Sequence, residues 1–245
     1  MSSAAGVLCV LDEPVPELQR VALKQLLSMV NDYWTEIADY LPQIESLYED
    51  ESFPDRHLAA LLASKVFFNL EEYNEALRYA LGAEGLLDVA ASRGADEYTD
   101  TIVSRAIDAY VRHRNRGDED VTQGSTEKRD EFDPRIETLV QTLMKDALAM
   151  GDLKQGLGVA LEAQRLDWVE KFITYKESMV AEMLLYCKTN ALEVVDDRQF
   201  RSKVLELLIK IYKTVPAGRD RDWAGLAQCY FLLNKPEEVG TMLRE

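Results

Sequence analysis

Histidine is nearly absent from this chain: there are 2 in 245 residues. That leaves little material for a His-based catalytic triad or a His-rich metal site. The three cysteines, Cys9, Cys187 and Cys229, are odd in number, far apart and without Cys-x-x-Cys spacing. They suit reduced thiols packed as small hydrophobes, not a disulfide framework or a zinc knuckle. Proline (7) and glycine (12) are too sparse for an all-β protein, which needs a turn every ten residues or so. Basic residues are outnumbered, 28 Lys and Arg against 44 Asp and Glu, for a formal net charge of −16. A field of that sign repels phosphate backbones and anionic lipid, so neither nucleic acid nor a membrane surface is an expected partner. No apolar run approaches the ~20 residues that span a bilayer. The short run Ala4 to Leu11 has no Lys or Arg before it and ends in Asp12-Glu13, unlike a signal peptide. These features together predict an intracellular protein in a reducing compartment.

What is present is helical periodicity. Trp34, Ile37, Ala38 and Leu41 mark one face, and Ile44, Leu47 and Tyr48 the next. Leu58, Leu61, Leu62 and Val66 follow, then Ile102, Val103, Ala106, Ile107 and Tyr110. Ile136, Val140, Leu143 and Ala147, then Val180, Met183, Leu184 and Cys187, continue the series. Val204, Leu208, Ile211 and Tyr212, then Trp223, Ala227 and Tyr230, complete it. No segment alternates with period two for long. Asp133-Pro134 and Lys235-Pro236 place proline at a first helical position, and Pro16 and Pro54 also mark helix starts. The fold class is all-α.

Short connections make neighbouring helices antiparallel hairpins. An internal repeat extends that reading: Glu72 to Val89 aligns without gaps on Asp152 to Val169, 80 residues later. The pairs are Leu77/Leu157, Ala80/Ala160, Leu81/Leu161, Ala83/Ala163, Leu86/Leu166 and Val89/Val169, with Ala76/Gly156 similar. Small residues at these positions permit close helix approach. An offset of 80 fits two helical pairs of about 40 residues, an α-solenoid period. The expected architecture is an α-solenoid of stacked antiparallel helical hairpins, a rod-like superhelix, with an irregular bundle as the alternative. Its parts are helical hairpins over 1–113, a polar loop at 114–133, and a continuing solenoid over 134–245. The loop is charged and almost free of apolar residues, so it is expected to be a disordered surface loop, with a binding segment that folds on contact as the alternative.

Catalytic, cofactor-binding and metal-ligating residues are all read as none. His57 lies near a helix start and His113 in a last helical turn, where its charge complements the dipole. Neither has a partner at ligand spacing. Asp12-Glu13, Asp50-Glu51 and Asp196-Asp197 are consecutive pairs that do not face each other on a helix. Gly156 and Gly158 lack the preceding strand and following Lys-Ser/Thr of a phosphate loop, and read as close-packing positions. Ala60 through Ala83, with Phe67, Phe68, Tyr73 and Tyr79, resembles a tetratricopeptide unit. Its rings either line a peptide groove or fill the interhelical core, and core filling is the stronger reading. The acidic run 47–51 is either a docking patch for a basic partner or a solvated face.

Particular strings carry more than periodicity. Leu11-Asp12-Glu13-Pro14, Val30-Asn31-Asp32-Tyr33-Trp34 and Ile44 through Glu51 form a collinear series. Ala63 through Phe67, Tyr79 through Ala83, Gly158 through Glu162 and Phe200 through Leu205 extend it along the chain. The series resembles the family of the largest non-ATPase scaffold subunits of the 26S proteasome regulatory particle. The resemblance implies a non-enzymatic scaffold in the base of that particle, without cofactor, metal or small-molecule substrate. It would support assembly and lid contacts in ubiquitin-dependent protein degradation, in cytoplasm and nucleus. Its partners would be the other lid and base subunits. The chain would correspond to the family's N-terminal rod, with a toroid of proteasome/cyclosome repeats expected beyond it. The stripe Val239, Met242 and Leu243 in the last helix fits that expectation. A free-standing tetratricopeptide-like adapter for a peptide or partner helix is the alternative.

Overall fold

A computed structural model describes residues 4–86, 96–115, 132–214 and 222–242. All regular structure among the described residues is helical, as the 3.6-residue spacing requires. The α-helices are α1 (Ala5–Leu11), α2 (Pro16–Ala38), α3 (Leu41–Glu49), α4 (Arg56–Asn69), α5 (Tyr73–Gly82) and α6 (Glu97–Asn115). They continue with α7 (Pro134–Met150), α8 (Leu153–Glu162), α9 (Leu166–Thr174), α10 (Val180–Glu193), α11 (Arg198–Thr214), α12 (Trp223–Leu232) and α13 (Pro236–Met242). Prolines 16, 134 and 236 each occupy the first helical position, where their missing N–H costs nothing. Asp133 caps α7 by accepting from the Arg135 N–H at 2.9 Å, and Asp222 caps α12 through the Gly225 N–H at 2.8 Å.

One stripe read from the sequence crosses a real boundary. Trp34, Ile37 and Ala38 end α2, but Leu41 opens α3, because the chain turns at Asp39 and Tyr40. The spacing survives the turn, so periodicity alone could not see it. Of the polar segment 114–133, residues 116–131 lie outside the described residues. Arg114 and Asn115 extend α6, and Phe132 stacks on His113 with ring centroids 3.8 Å apart.

The chain divides into two compact units, Met1–Ala109 with Asp133–Leu139, and Tyr110–Phe132 with Val140–Glu245. In the first, α1 packs on α2, and α4 packs against α2, α3 and α5. Leu8, Leu11, Leu23, Leu26, Ile44, Leu62 and Val66 form its core. Ala59, Ala60 and Ala63 on α4, with Ala76, Ala80 and Ala83, keep the facing side chains small enough for close approach. The unit also buries a polar network. Ser64 Oγ donates to the Ala76 carbonyl at 2.6 Å, which leaves the Tyr98 hydroxyl to donate to Ser64 Oγ at 2.7 Å.

In the second unit α9 packs on α8, α10 and α11, α11 on α10 and α12, and α13 on α12. Leu157, Ala160, Val169, Phe172, Cys187, Val204, Leu208 and Cys229 are buried between them. Full burial of a side chain such as Phe172 contributes about 1.5–3 kcal/mol. Tyr110, almost fully buried, is held by the Arg165 guanidinium at 2.6 Å, and Arg165 also pairs with Asp167 at 2.8 Å.

Four helix ends share one turn. Glu71, Gly151, Gln164 and Asn234 have left-handed φ values of 63°, 87°, 53° and 55°. Each donates its N–H three residues back, to Phe68, Leu148, Leu161 and Phe231. The following N–H reaches five residues back, from Glu72 to Phe67, Asp152 to Ala147, Arg165 to Ala160 and Lys235 to Tyr230. This is the Schellman arrangement, which satisfies the last carbonyls of a helix and starts the next two residues later. Glu71 and Gly151 are 80 residues apart, as are Glu84 (φ 37°) and Gln164. The repeat read from the sequence therefore extends to backbone conformation.

Candidate functional site

Several of the residues weighed for catalysis make structural contacts. His57 Nδ1 donates to the Gly82 carbonyl at 2.9 Å, and its Nε2 lies 3.6 Å from Glu84 Oε2. Asp50 accepts from the Ser52 N–H at 2.8 Å and the Ser52 hydroxyl at 2.6 Å. Those bonds, the hydroxyl first, hold its carboxyl below the usual carboxylate range. Asp12 accepts from Gln43 Nε2 at 2.8 Å, and Asp197 accepts from the Gln199 N–H at 2.7 Å at the start of α11. Among the described residues no group of three or more His, Cys, Asp and Glu could hold a metal ion.

The thiols divide by burial. Cys9 is exposed, while Cys187 and Cys229 are buried. Burial pushes the Cys187 thiol up to about 12 and that of Cys229 up to about 11, the latter partly offset by the Lys188 charge. Both remain protonated near neutrality and lack nucleophilic character.

The two glycines of α8 differ. At Gly156 an added Cβ would overlap the Phe172 ring, so this glycine is required by close packing. Gly158 has nothing within 4 Å of that position, so its reading as a packing glycine is corrected.

Of the four rings of the tetratricopeptide-like hairpin of α4 and α5, Tyr79 is buried, Phe67 and Phe68 are half-buried, and Tyr73 lines a surface pocket with Asp96 and Arg105. Tyr79 stacks on Phe67 at 5.4 Å, meets Tyr48 edge-on at 5.6 Å, and donates its hydroxyl to Glu45 at 2.7 Å. Phe68 meets Tyr98 edge-on at 5.4 Å. With their faces and edges used inside the unit, Phe67 and Tyr79 cannot also receive a peptide.

The surface feature the sequence analysis missed is an apolar groove of about 460 Å³ in the second unit. It is lined by Lys188 and Leu192 of α10, by Ala227, Gln228, Phe231 and Leu232 of α12, and by Val239 of α13. Phe231 is 76% exposed, far beyond the other large apolar side chains of α12. Lys188 is only 8% exposed, and its Nζ donates to Gln228 Oε1 at 2.8 Å. The sequence signal available was Phe231-Leu232-Leu233, a third apolar residue run beyond the α12 stripe, but nothing in it says which ring is left uncovered. No helix among the described residues is long and apolar enough to cross a membrane.

Residues 2–245 match the family described as 26S proteasome subunit RPN2, N-terminal domain. The chain is 39% identical over 247 residues to 26S proteasome non-ATPase regulatory subunit 1 homolog A of Arabidopsis thaliana, an alignment that covers 100% of this chain. It is 37% identical to 26S proteasome non-ATPase regulatory subunit 1 of Drosophila melanogaster, over 99% of this chain. It is 33% identical to 26S proteasome regulatory subunit RPN2 of Saccharomyces cerevisiae, over 88%. In each case the match spans 23% of the relative's length. The collinear strings read from the sequence and this end-to-end match agree, and the chain belongs to the family defined by the N-terminal domain of 26S proteasome subunit RPN2.

Proposed function

We propose that this chain acts as a non-catalytic scaffold in the base of the 26S proteasome regulatory particle, supporting assembly and lid contacts in ubiquitin-dependent protein degradation. The observation that carries this reading is the family match over residues 2–245. The relatives are named as proteasome regulatory subunits, those of the plant and fly as non-ATPase subunits, and the present chain corresponds to about a quarter of their length. Asp133 and Asp222 cap helices, Asp50 closes a turn and Cys187 and Cys229 are buried, which is consistent with a structural use of these groups. The partners are other lid and base subunits, in cytoplasm and nucleus, without nucleic acid, membrane or small-molecule substrate. A peptide-binding tetratricopeptide adapter is disfavoured because Phe67 and Tyr79 are consumed inside the hairpin core.

The finer architecture belongs to the same proposal: helical hairpins over 1–113 and 134–245 form one α-solenoid rod. The 80-residue recurrence of sequence and of left-handed turns supports it. A compact domain of this length has a radius of gyration near ~18 Å, and a rod exceeds it clearly in small-angle scattering. A value near ~18 Å overturns the rod.

The functional test is affinity purification of the tagged chain from cells, scored for proteasome lid and base subunits by mass spectrometry. Co-purification in defined ratios is expected. Recovery without any regulatory-particle subunit overturns the reading.

A further inference from the structure

We draw no further inference here: the strongest candidate, the apolar groove between α10, α12 and α13 beside Phe231, is an uncovered apolar face, and nothing in the structure shows what covers it.

Discussion

Gly156 and Gly158 lie two residues apart in the interior of α8, and alanine at the two positions should change stability in opposite directions. Glycine in a helix interior is about 0.8–1 kcal/mol less favourable than alanine, so both substitutions carry the same propensity gain. At Gly158 the new Cβ meets nothing within 4 Å, and the gain appears undiminished. At Gly156 the Cβ runs into the ring of Phe172, a fully buried side chain that also packs on Trp168 with centroids 5.9 Å apart. The ring has no solvent side to move toward, and overpacking of this kind costs about 1–3 kcal/mol. Propensity cancels in the comparison, so the two variants differ by the steric cost alone, about 1–3 kcal/mol. Gly158→Ala is stabilised by about 1 kcal/mol, and Gly156→Ala is destabilised by up to about 2. Urea unfolding followed by tryptophan fluorescence, with hydrogen exchange of the α8 amides, reads both. A double-mutant cycle with Phe172→Leu assigns the cause, because a smaller side chain at 172 removes most of the Gly156→Ala penalty. Equal effects at the two sites, or a Gly156→Ala cost that survives Phe172→Leu, would refute the reasoning.

Gln164→Gly and Glu71→Gly should each stabilise by roughly 0.5 kcal/mol, since relief of a left-handed conformation worth about 1–2 outweighs the roughly 0.5–1 lost to glycine's freedom in the unfolded chain. Loss of stability in both would mean that these side chains matter more than the turn. Of the three thiols, only Cys9 should react with a disulfide reagent near pH 8 in the native protein, and all three after unfolding. Because burial raises the Cys187 pKa to about 12, its contribution is complete below the ordinary thiol value and is lost as pH rises through about 12. Cys187→Ala should therefore flatten the alkaline limb of stability against pH, and an unchanged limb would contradict the burial. Asp133 is held below the ordinary carboxylate range, first by its bonds to the Arg135 guanidinium. Its contribution is present above about pH 4 and lost as pH falls through the lower folded value, so Asp133→Asn should flatten the acid limb. The pair is partly solvated, so the change stays under about 1 kcal/mol. An acid limb identical to wild type would remove Asp133 as its source.

The helices were legible because a buried stripe imposes its period on the chain, and because Pro16, Pro134 and Pro236 stand where only a first turn tolerates them. What stayed hidden has a common physical origin. Glu71 and Gln164 take a conformation that sequence reading assigns to glycine, because the Schellman bonds on either side outweigh the local preference. The Ser64–Tyr98 and Lys188–Gln228 bonds join residues 34 and 40 apart, with no local pattern to announce them. Gly156 and Gly158 look alike in sequence because the difference between them is the Phe172 ring on another helix.

The same limit explains why the groove escaped the sequence reading. Periodicity reports which residues share a face, whereas coverage depends on what else arrives at that face. Leu226, Cys229 and Tyr230 on α12 are buried, and Phe231, one residue further, is open. All four are apolar, so composition predicts the same fate for each. Only the packing of α11 and α13 against α12 decides that three are enclosed and one is left outside. Coverage is therefore visible only once the internal pairings of the helices are known.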